Sequence, residues 1–480
     1  MGLKSNIVYS AILTTANYLF QFITFPYVSR ILGPSGIGTY NFAYSIVQYF
    51  MMFAAMGVIN LGTREIAKCT SQKQRDEVFT KILITNGAIT VLSLSIYLPL
   101  IFLVPSFQEI KQYLYIGILQ IIFNAITIEW LFRGLQDFKF ITLRSVLVRV
   151  GYVILVFILI RKPDDVLLYY TLTIFSIIFN GIINWGYSRK FVSMVKVPIL
   201  EGISQFAKPM FLLGSQALIS FFYVGFNTVY LGIESSETQV GYYSTANKII
   251  IIILALYTAY SSTIMPRMSK LVDLNQNEEM ERLIITSIEL VCAFAFPAII
   301  LILCCAKTIL NIIAGSQFIS AASALQIGAL LVLVLGISQV IFVQLFIPQR
   351  MDKRISISCA SGAVLSLILN FFLVGLLKLG ADGSMFIWLT SETMVLTIAL
   401  GMIHKEYKVT KWIQTVGKYL VAFLPLLTLN ILISFFELNQ YLTLSICLLL
   451  IVLYTHIILY KVFRQTQYLS IVNMIHNKFR

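Results

Sequence analysis

Fourteen stretches of about twenty mainly apolar residues follow one another along the chain, each long enough to cross the hydrocarbon core of a bilayer once as a helix. They are 7–28, 39–61, 82–104, 112–132, 142–160, 166–185, 209–232, 242–265, 283–305, 320–346, 355–376, 383–403, 415–436 and 441–460. Continuous runs of this length, without period-two alternation, select helices over strands. Composition agrees. Hydrophobic residues are 58% of the 480 and charged residues 12%, against about a quarter charged in soluble domains. So few charges cannot cover a water-exposed particle of this size. The expected fold is therefore an all-α polytopic membrane protein of fourteen transmembrane helices, with the first stretch retained rather than cleaved as a leader.

The basic residues give an independent check on that count, because Lys and Arg collect in cytoplasmic loops. With the N-terminus placed in the cytoplasm, twenty-six of the 35 Lys and Arg fall on that side, six on the other and three inside stretches. Both termini are thus expected in the cytoplasm. The net charge of +14 follows from these loops and gives no ground for nucleic-acid binding. The two longest loops, 62–81 and 186–208, are basic and suited to anionic headgroups. The six Cys (69, 292, 304, 305, 359 and 447) show no C-x-x-C spacing and the three His are scattered, so no disulfide framework or metal site is expected. No G-x-x-x-x-G-K-[ST] loop is present. Nor is any loop long enough to house a catalytic domain, so no enzymatic activity is expected.

Two pairs of turns repeat about 200 residues apart. Arg-Ile-Leu-Gly-Pro-Ser-Gly-Ile-Gly-Thr-Tyr (30–40) parallels Tyr-Leu-Gly-Ile-Glu-Ser-Ser-Glu-Thr-Gln-Val-Gly-Tyr-Tyr (230–243). Leu-Phe-Arg-Gly-Leu-Gln-Asp-Phe-Lys-Phe-Ile (131–141) parallels Leu-Phe-Ile-Pro-Gln-Arg-Met-Asp-Lys-Arg-Ile (345–355). An offset of six helices is even, so the repeats run parallel, related by an axis along the membrane normal. The expected organisation is a six-helix lobe over 1–190, a cytoplasmic linker over 191–208, a second six-helix lobe over 209–404, and two further helices with a cytoplasmic tail over 405–480. Paired lobes of this kind place the transport path between them.

The 32–40 turn, Gly57 with Asn-Leu-Gly-Thr-Arg-Glu-Ile-Ala-Lys (60–68), and Arg-Gly-Leu-Gln-Asp-Phe-Lys (133–139) together resemble the polysaccharide-biosynthesis flippases of the O-antigen transporter (Wzx) type. These belong to the multidrug/oligosaccharidyl-lipid/polysaccharide exporter superfamily, whose multidrug branch is the MATE transporters. The resemblance spans essentially the whole chain and implies a MATE-like fold. It implies passage of undecaprenyl-diphosphate-linked oligosaccharide (O-antigen, capsule or exopolysaccharide units) from the cytoplasmic to the periplasmic leaflet of a bacterial inner membrane by alternating access. Polymerase and glycosyltransferases of the same pathway are the implied protein partners. No cofactor is implied beyond coupling to protons or sodium ions. Lipid II flipping, or multidrug/cation antiport within the same superfamily, are the alternatives.

A diphosphate and its sugars need a wet, cationic passage, since an unpaired charge is prohibitive in hydrocarbon. Arg149 and Lys248 are the candidate diphosphate ligands, Arg149 through its bidentate fork and Lys248 as a point charge. Arg30, at the outer end of the first stretch, is a candidate exit-side contact or a simple anchor. Glu289, Glu392 and Glu129 are candidates for ion coupling, although Glu129, like Arg133, Arg64 and Glu65, also fits plain solvation at a helix end. Asn17/Gln21, Gln120/Asn124 and Asn180/Asn184 stand at i, i+4, each pair on one helix face. Facing a cavity, Asn17, Gln21, Asn124 and Asn180 would hydrogen-bond sugars; facing another helix they would be interhelical glue.

Overall fold

The computed structural model describes residues 3–434 and 439–463; the side chains of part of the first helix, Asn17 and Gln21 included, and of residues 215–224 lie outside the described set. Sixteen α-helices and no strand occur among the described residues. In order they are α1 (Leu3–Ala54), α2 (Val58–Lys68), α3 (Gln72–Leu103), α4 (Lys111–Ile126), α5 (Glu129–Gly134), α6 (Phe138–Leu159), α7 (Val166–Ser188) and α8 (Ile199–Glu234). Then follow α9 (Glu237–Asp273), α10 (Asn277–Ile313), α11 (Ala322–Ala329), α12 (Leu331–Gln339), α13 (Asp352–Leu369), α14 (Gly380–Ile403), α15 (Val409–Ser434) and α16 (Gln440–Ile457). Among the described residues eleven segments are long and apolar enough to cross a membrane, or twelve if Ser316–Ala329 and Leu331–Phe346, bent by 42°, make one span. Their outer faces carry exposed Leu147, Ile154, Phe175 and Phe179, which suits lipid and would be untenable in water. The chain is a multi-pass helical membrane protein.

The chain packs as two compact units, residues 1–244 with 367–384, and residues 245–366 with 385–480. In the first unit α1 is the hub, touching α3, α4, α6, α7 and α8. It bends at Gly33, whose φ of 67° leaves the helical region just before Pro34. Past the bend, a Cβ added at Gly38 would overlap the carbonyl of Glu237, and one at Gly241 the carbonyl of Pro34. Two glycines from the two repeated turns therefore let the α1 and α9 backbones touch. An apolar cluster of Leu61, Phe79, Ile82, Trp130, Phe132 and Met210 closes one end of this unit.

The 186–208 segment is stitched to α3. Ser193 N–H donates to Asp76 Oδ1 at 2.8 Å and Val195 N–H to Thr80 Oγ1 at 3.2 Å. Lys81 Nζ also reaches Glu77 and Glu201 at 2.6 Å each.

In the second unit α10 is the core helix, packing against α11, α12, α15 and α16. Ser287 anchors a polar chain on its buried face. Ser287 Oγ donates to Gln344 Oε1 at 2.8 Å, and Gln344 Nε2 donates to Ser261 Oγ at 3.1 Å. Beyond the end of α14, the Arg354 guanidinium grips Glu406 through both nitrogens, at 2.8 and 2.5 Å. That fork holds the Glu406 carboxyl below its ordinary range.

The second repeated pair of turns is alike in backbone detail. Gln136 and Arg350, at matching positions, both take positive φ (58° and 56°). Asp137 N–H returns to Phe132 O, and Met351 N–H to Phe346 O, each at 2.9 Å. This six-to-one closure with a left-handed residue is the Schellman helix end, here built twice without glycine.

The Gly38–Gly241 approach yields a stability test. Gly38→Ala or Gly241→Ala must force two backbones apart, an overpacking cost of about 1–3 kcal/mol. Gly87→Ala, where an added Cβ meets nothing within 4 Å, should be neutral or slightly stabilising in its helix. Melting temperatures of the detergent-purified variants should fall for the first two and hold for the third. Equal melting of all three would remove the close approach.

Candidate functional site: a cationic cavity around a broken helix

α4 and α5 would be one continuous helix but for Thr127 and Ile128. Ile128 is buried and has φ 39°, ψ 29°, a left-handed conformation costly for a β-branched residue. The break leaves carbonyls without helical partners, and in a membrane each must be satisfied by the protein or by a wet cavity. Side chains take them. Asn86 Nδ2 donates to Ala125 O at 3.4 Å, Asn184 Nδ2 to Thr127 O, and Thr127 Oγ1 to Asn124 O.

Beside the break lies a cavity of about 320 Å³ walled by α1, α2, α3, α4, α5, α6 and α7. Four charged residues line it: Glu129, Arg133, Arg144 and Arg149. Glu129 is shared, its Oε1 accepting from Arg133 at 2.8 and 3.0 Å and its Oε2 facing Arg144 Nη2 at 3.2 Å. Arg144, only 5% exposed, also donates to Ser145 Oγ at 2.8 Å and to Asn184 Oδ1. Asn184 thus links the buried arginine to the broken backbone. Arg149 differs: among the described residues no carboxylate lies within ion-pair distance of it, and the Tyr44 and Tyr152 hydroxyls are its electrostatic neighbours. Three cations against one anion leave the cavity at a formal +2. Asn86 Oδ1, Arg144 Nε and Asn180 Oδ1, all on lining residues, have no hydrogen-bond partner within the described protein, where about 1–3 kcal/mol is at stake for each.

Of the residues picked out by sequence, the structure brings Arg149, Asn124, Asn180 and Glu129 to this one cavity. Arg30 is exposed at the α1 bend and does not line it. Asn17 and Gln21 lie, by their side chains, outside the described residues. Lys248 on α9, Glu289 on α10 and Glu392 on α14 belong to the second unit. There Glu289 faces Lys418, and Glu392 accepts from Trp388 Nε1 at 3.4 Å.

Glu129 and Arg133, placed at a helix end by the sequence, are paired with each other, and Glu129 with Arg144 as well, while both side chains stay partly exposed. Arg144 stands only two residues into the 142–160 stretch; α6 starts at Phe138, a full turn earlier, and carries it into the cavity wall. Asn86 and Thr127 escaped notice as single polar residues in apolar frames, and no Pro or Gly announces the break at Ile128. Among the described residues no group of three or more His, Cys, Asp or Glu is placed to hold a metal.

Fold and site define a class: helical membrane proteins that keep a charged cavity inside a bundle, as membrane transporters do. Residues 3–272 match the model of the family described as polysaccharide biosynthesis protein, and the chain belongs to that family. It is 26% identical over 413 residues to the "Putative O-antigen transporter" of Escherichia coli (strain K12), covering 85% of this chain and 98% of that one. In fold it resembles a solved lipid II flippase, MurJ, in an inward closed conformation. The TM-score is 0.73 at 12% identity, over 95% of this chain and 100% of that one. It also resembles an inward-facing MATE family multidrug resistance transporter of the MOP superfamily, with a TM-score of 0.63 at 13% identity, over 85% and 99% of the two chains.

The ion-pair geometry predicts a coupling. Glu129→Gln leaves the buried Arg144 without its counter-charge and should lower stability by about 1–3 kcal/mol. Adding Arg144→Met should recover part of that loss. Thermal unfolding of the single and double variants checks this, and additive losses would show that the two residues act independently.

Proposed function

We propose that this protein is a flippase for undecaprenyl-diphosphate-linked oligosaccharide, moving it from the cytoplasmic to the periplasmic leaflet of a bacterial inner membrane by alternating access. The observation that carries the reading is the charge of the cavity. A diphosphate diester brings two negative charges, and the cavity offers a formal +2, with Arg149 unpaired by any carboxylate among the described residues. Arginine forks suit phosphate oxygens because each can give two parallel hydrogen bonds. Membership of the polysaccharide biosynthesis family and the O-antigen transporter name of a relative support the same substrate class.

In this reading Arg149 and Arg144 hold the diphosphate. Glu129 keeps Arg133 and Arg144 oriented while the site is empty, and Asn124 and Asn180 meet the first sugar. Glu289 and Glu392 are the carboxylates left for ion coupling. Fourteen crossings with both termini in the cytoplasm complete the picture. The bend at Gly33, which divides α1 into two limbs, and the 36-residue α8 support two crossings beyond the twelve counted by length and apolarity. The strongly basic loops on one side support the orientation. The parallel repeat supports two six-helix lobes, 1–190 and 209–404, joined by 191–208 and followed by two helices in 405–480.

Deletion should strand lipid-linked repeat units on the cytoplasmic leaflet, detected by mass and by their resistance to an externally added glycosidase. Arg149→Ala should retain membrane insertion but leave flipping at least tenfold below wild type, with Arg149→Lys intermediate. Normal flux through Arg149→Ala, or periplasmic delivery in the deletion strain, would contradict the assignment.

A further inference from the structure

α1 ends at Ala54 and the chain turns through residues 55–57 before α2 begins, with Gly57 at φ 67°. Any side chain at Gly57 would overlap the carbonyl of Met210, and one at Gly214 would overlap Met56 and approach the Gly57 nitrogen. α8 therefore crosses this second break in backbone contact. Next to the crossing is a second cavity of about 330 Å³. It adjoins the arginine cavity, for Met51, Ala55, Ile59 and Asn124 line both.

The two parts differ in chemistry. No charged residue lines the second cavity; its wall is dominated by Met51, Met52, Met56 and Leu213, with Asn60 and Asn124 its polar side chains. Met51 is steadied by the Gln120 amide, which donates to its sulfur at 3.6 Å. Thioether side chains are flexible and polarizable, and they shape themselves to irregular apolar ligands. Two amides are too few to satisfy the hydroxyls of a sugar, whereas a methyl-branched hydrocarbon asks for none.

We infer that this methionine-lined annex is a binding subsite for the first isoprene units of the lipid whose diphosphate the arginines hold. The inference rests on the flippase reading and deepens it. It makes recognition bipartite: anion at Arg144 and Arg149, hydrocarbon at Met52 and Leu213, with the shared Met51–Ala55 wall at the junction. The chain then leaves the cationic cavity along an apolar surface and does not have to cross a polar one. The shared wall of the two cavities selects this occupant over a separate bilayer acyl chain, because whatever fills the annex lies beside the group at the arginines.

The test compares two probes, inorganic pyrophosphate and geranylgeranyl diphosphate, by titration calorimetry on the full-length protein in nanodiscs of fixed lipid composition. Wild type should bind the prenyl diphosphate more tightly than pyrophosphate. Met52→Gln with Leu213→Gln, which change polarity with little change of volume, should weaken prenyl diphosphate binding about tenfold while pyrophosphate stays within twofold. Arg149→Ala should weaken both. An unchanged prenyl diphosphate affinity in the double variant, or an equal loss for both probes, overturns the annex. If wild type binds neither probe, the flippase reading of the arginine cavity itself fails. Should the double variant melt below wild type, Met52→Leu provides the control: it keeps the apolar wall and must retain the prenyl preference.

Discussion

A bilayer has no water with which to satisfy a broken backbone, and that constraint organises the site. Every carbonyl freed where α4 gives way to α5 must be met by a donor, and the donors are side chains whose remaining polar groups then point to further partners. Asn184 takes the Thr127 carbonyl and, with its other end, the Arg144 guanidinium. Arg144 in turn faces Glu129, which opens α5 directly after the break. The strain at Ile128, the buried amides and the arginine cluster are thus one connected device. None of its members would be tolerable in hydrocarbon alone.

The second break, at Ala55–Gly57, does the complementary work. Where the first collects polar groups, the second opens an apolar recess beside a backbone crossing that only glycine permits at Gly57 and Gly214. An amphiphile with an anionic junction between sugar and hydrocarbon requires adjoining environments of this kind. Uniform cationic lining would reject its chain, and uniform apolar lining would reject its diphosphate.

Much of the fold was legible because the physics that imposes it acts on composition. Twenty-residue apolar runs follow from the cost of charges in hydrocarbon. The likeness of the 131–141 and 345–355 turns proved to reach backbone torsions at Gln136 and Arg350. The site was half legible for the same reason. Arg149, Asn124 and Asn180 stand out within apolar runs, and the structure brings them together. Arg144 sits at the very edge of its apolar run, and its inward place follows from a helix start four residues earlier, at Phe138. The break at Ile128 was hidden, because the carbonyls just before it are held by Asn86 and Asn184 from other helices, which no local pattern encodes. Lys248 and Glu392 are equally conspicuous in sequence. Both belong to the second unit, and an intramembrane charge signals a costly position without saying what it faces.

The central claim, a water-filled cavity of net positive charge inside the bundle, is open to a direct probe. Ile177, which lines it, can be replaced by cysteine in a variant with the six native cysteines changed to serine or alanine, then exposed to small thiosulfonates of opposite charge and similar size. A wet cationic site predicts that the anionic reagent modifies Ile177→Cys several-fold faster than the cationic one, with the preference collapsing when Arg149 is also replaced by Ala. Equal rates, faster reaction with the cation, or no modification by either would contradict it.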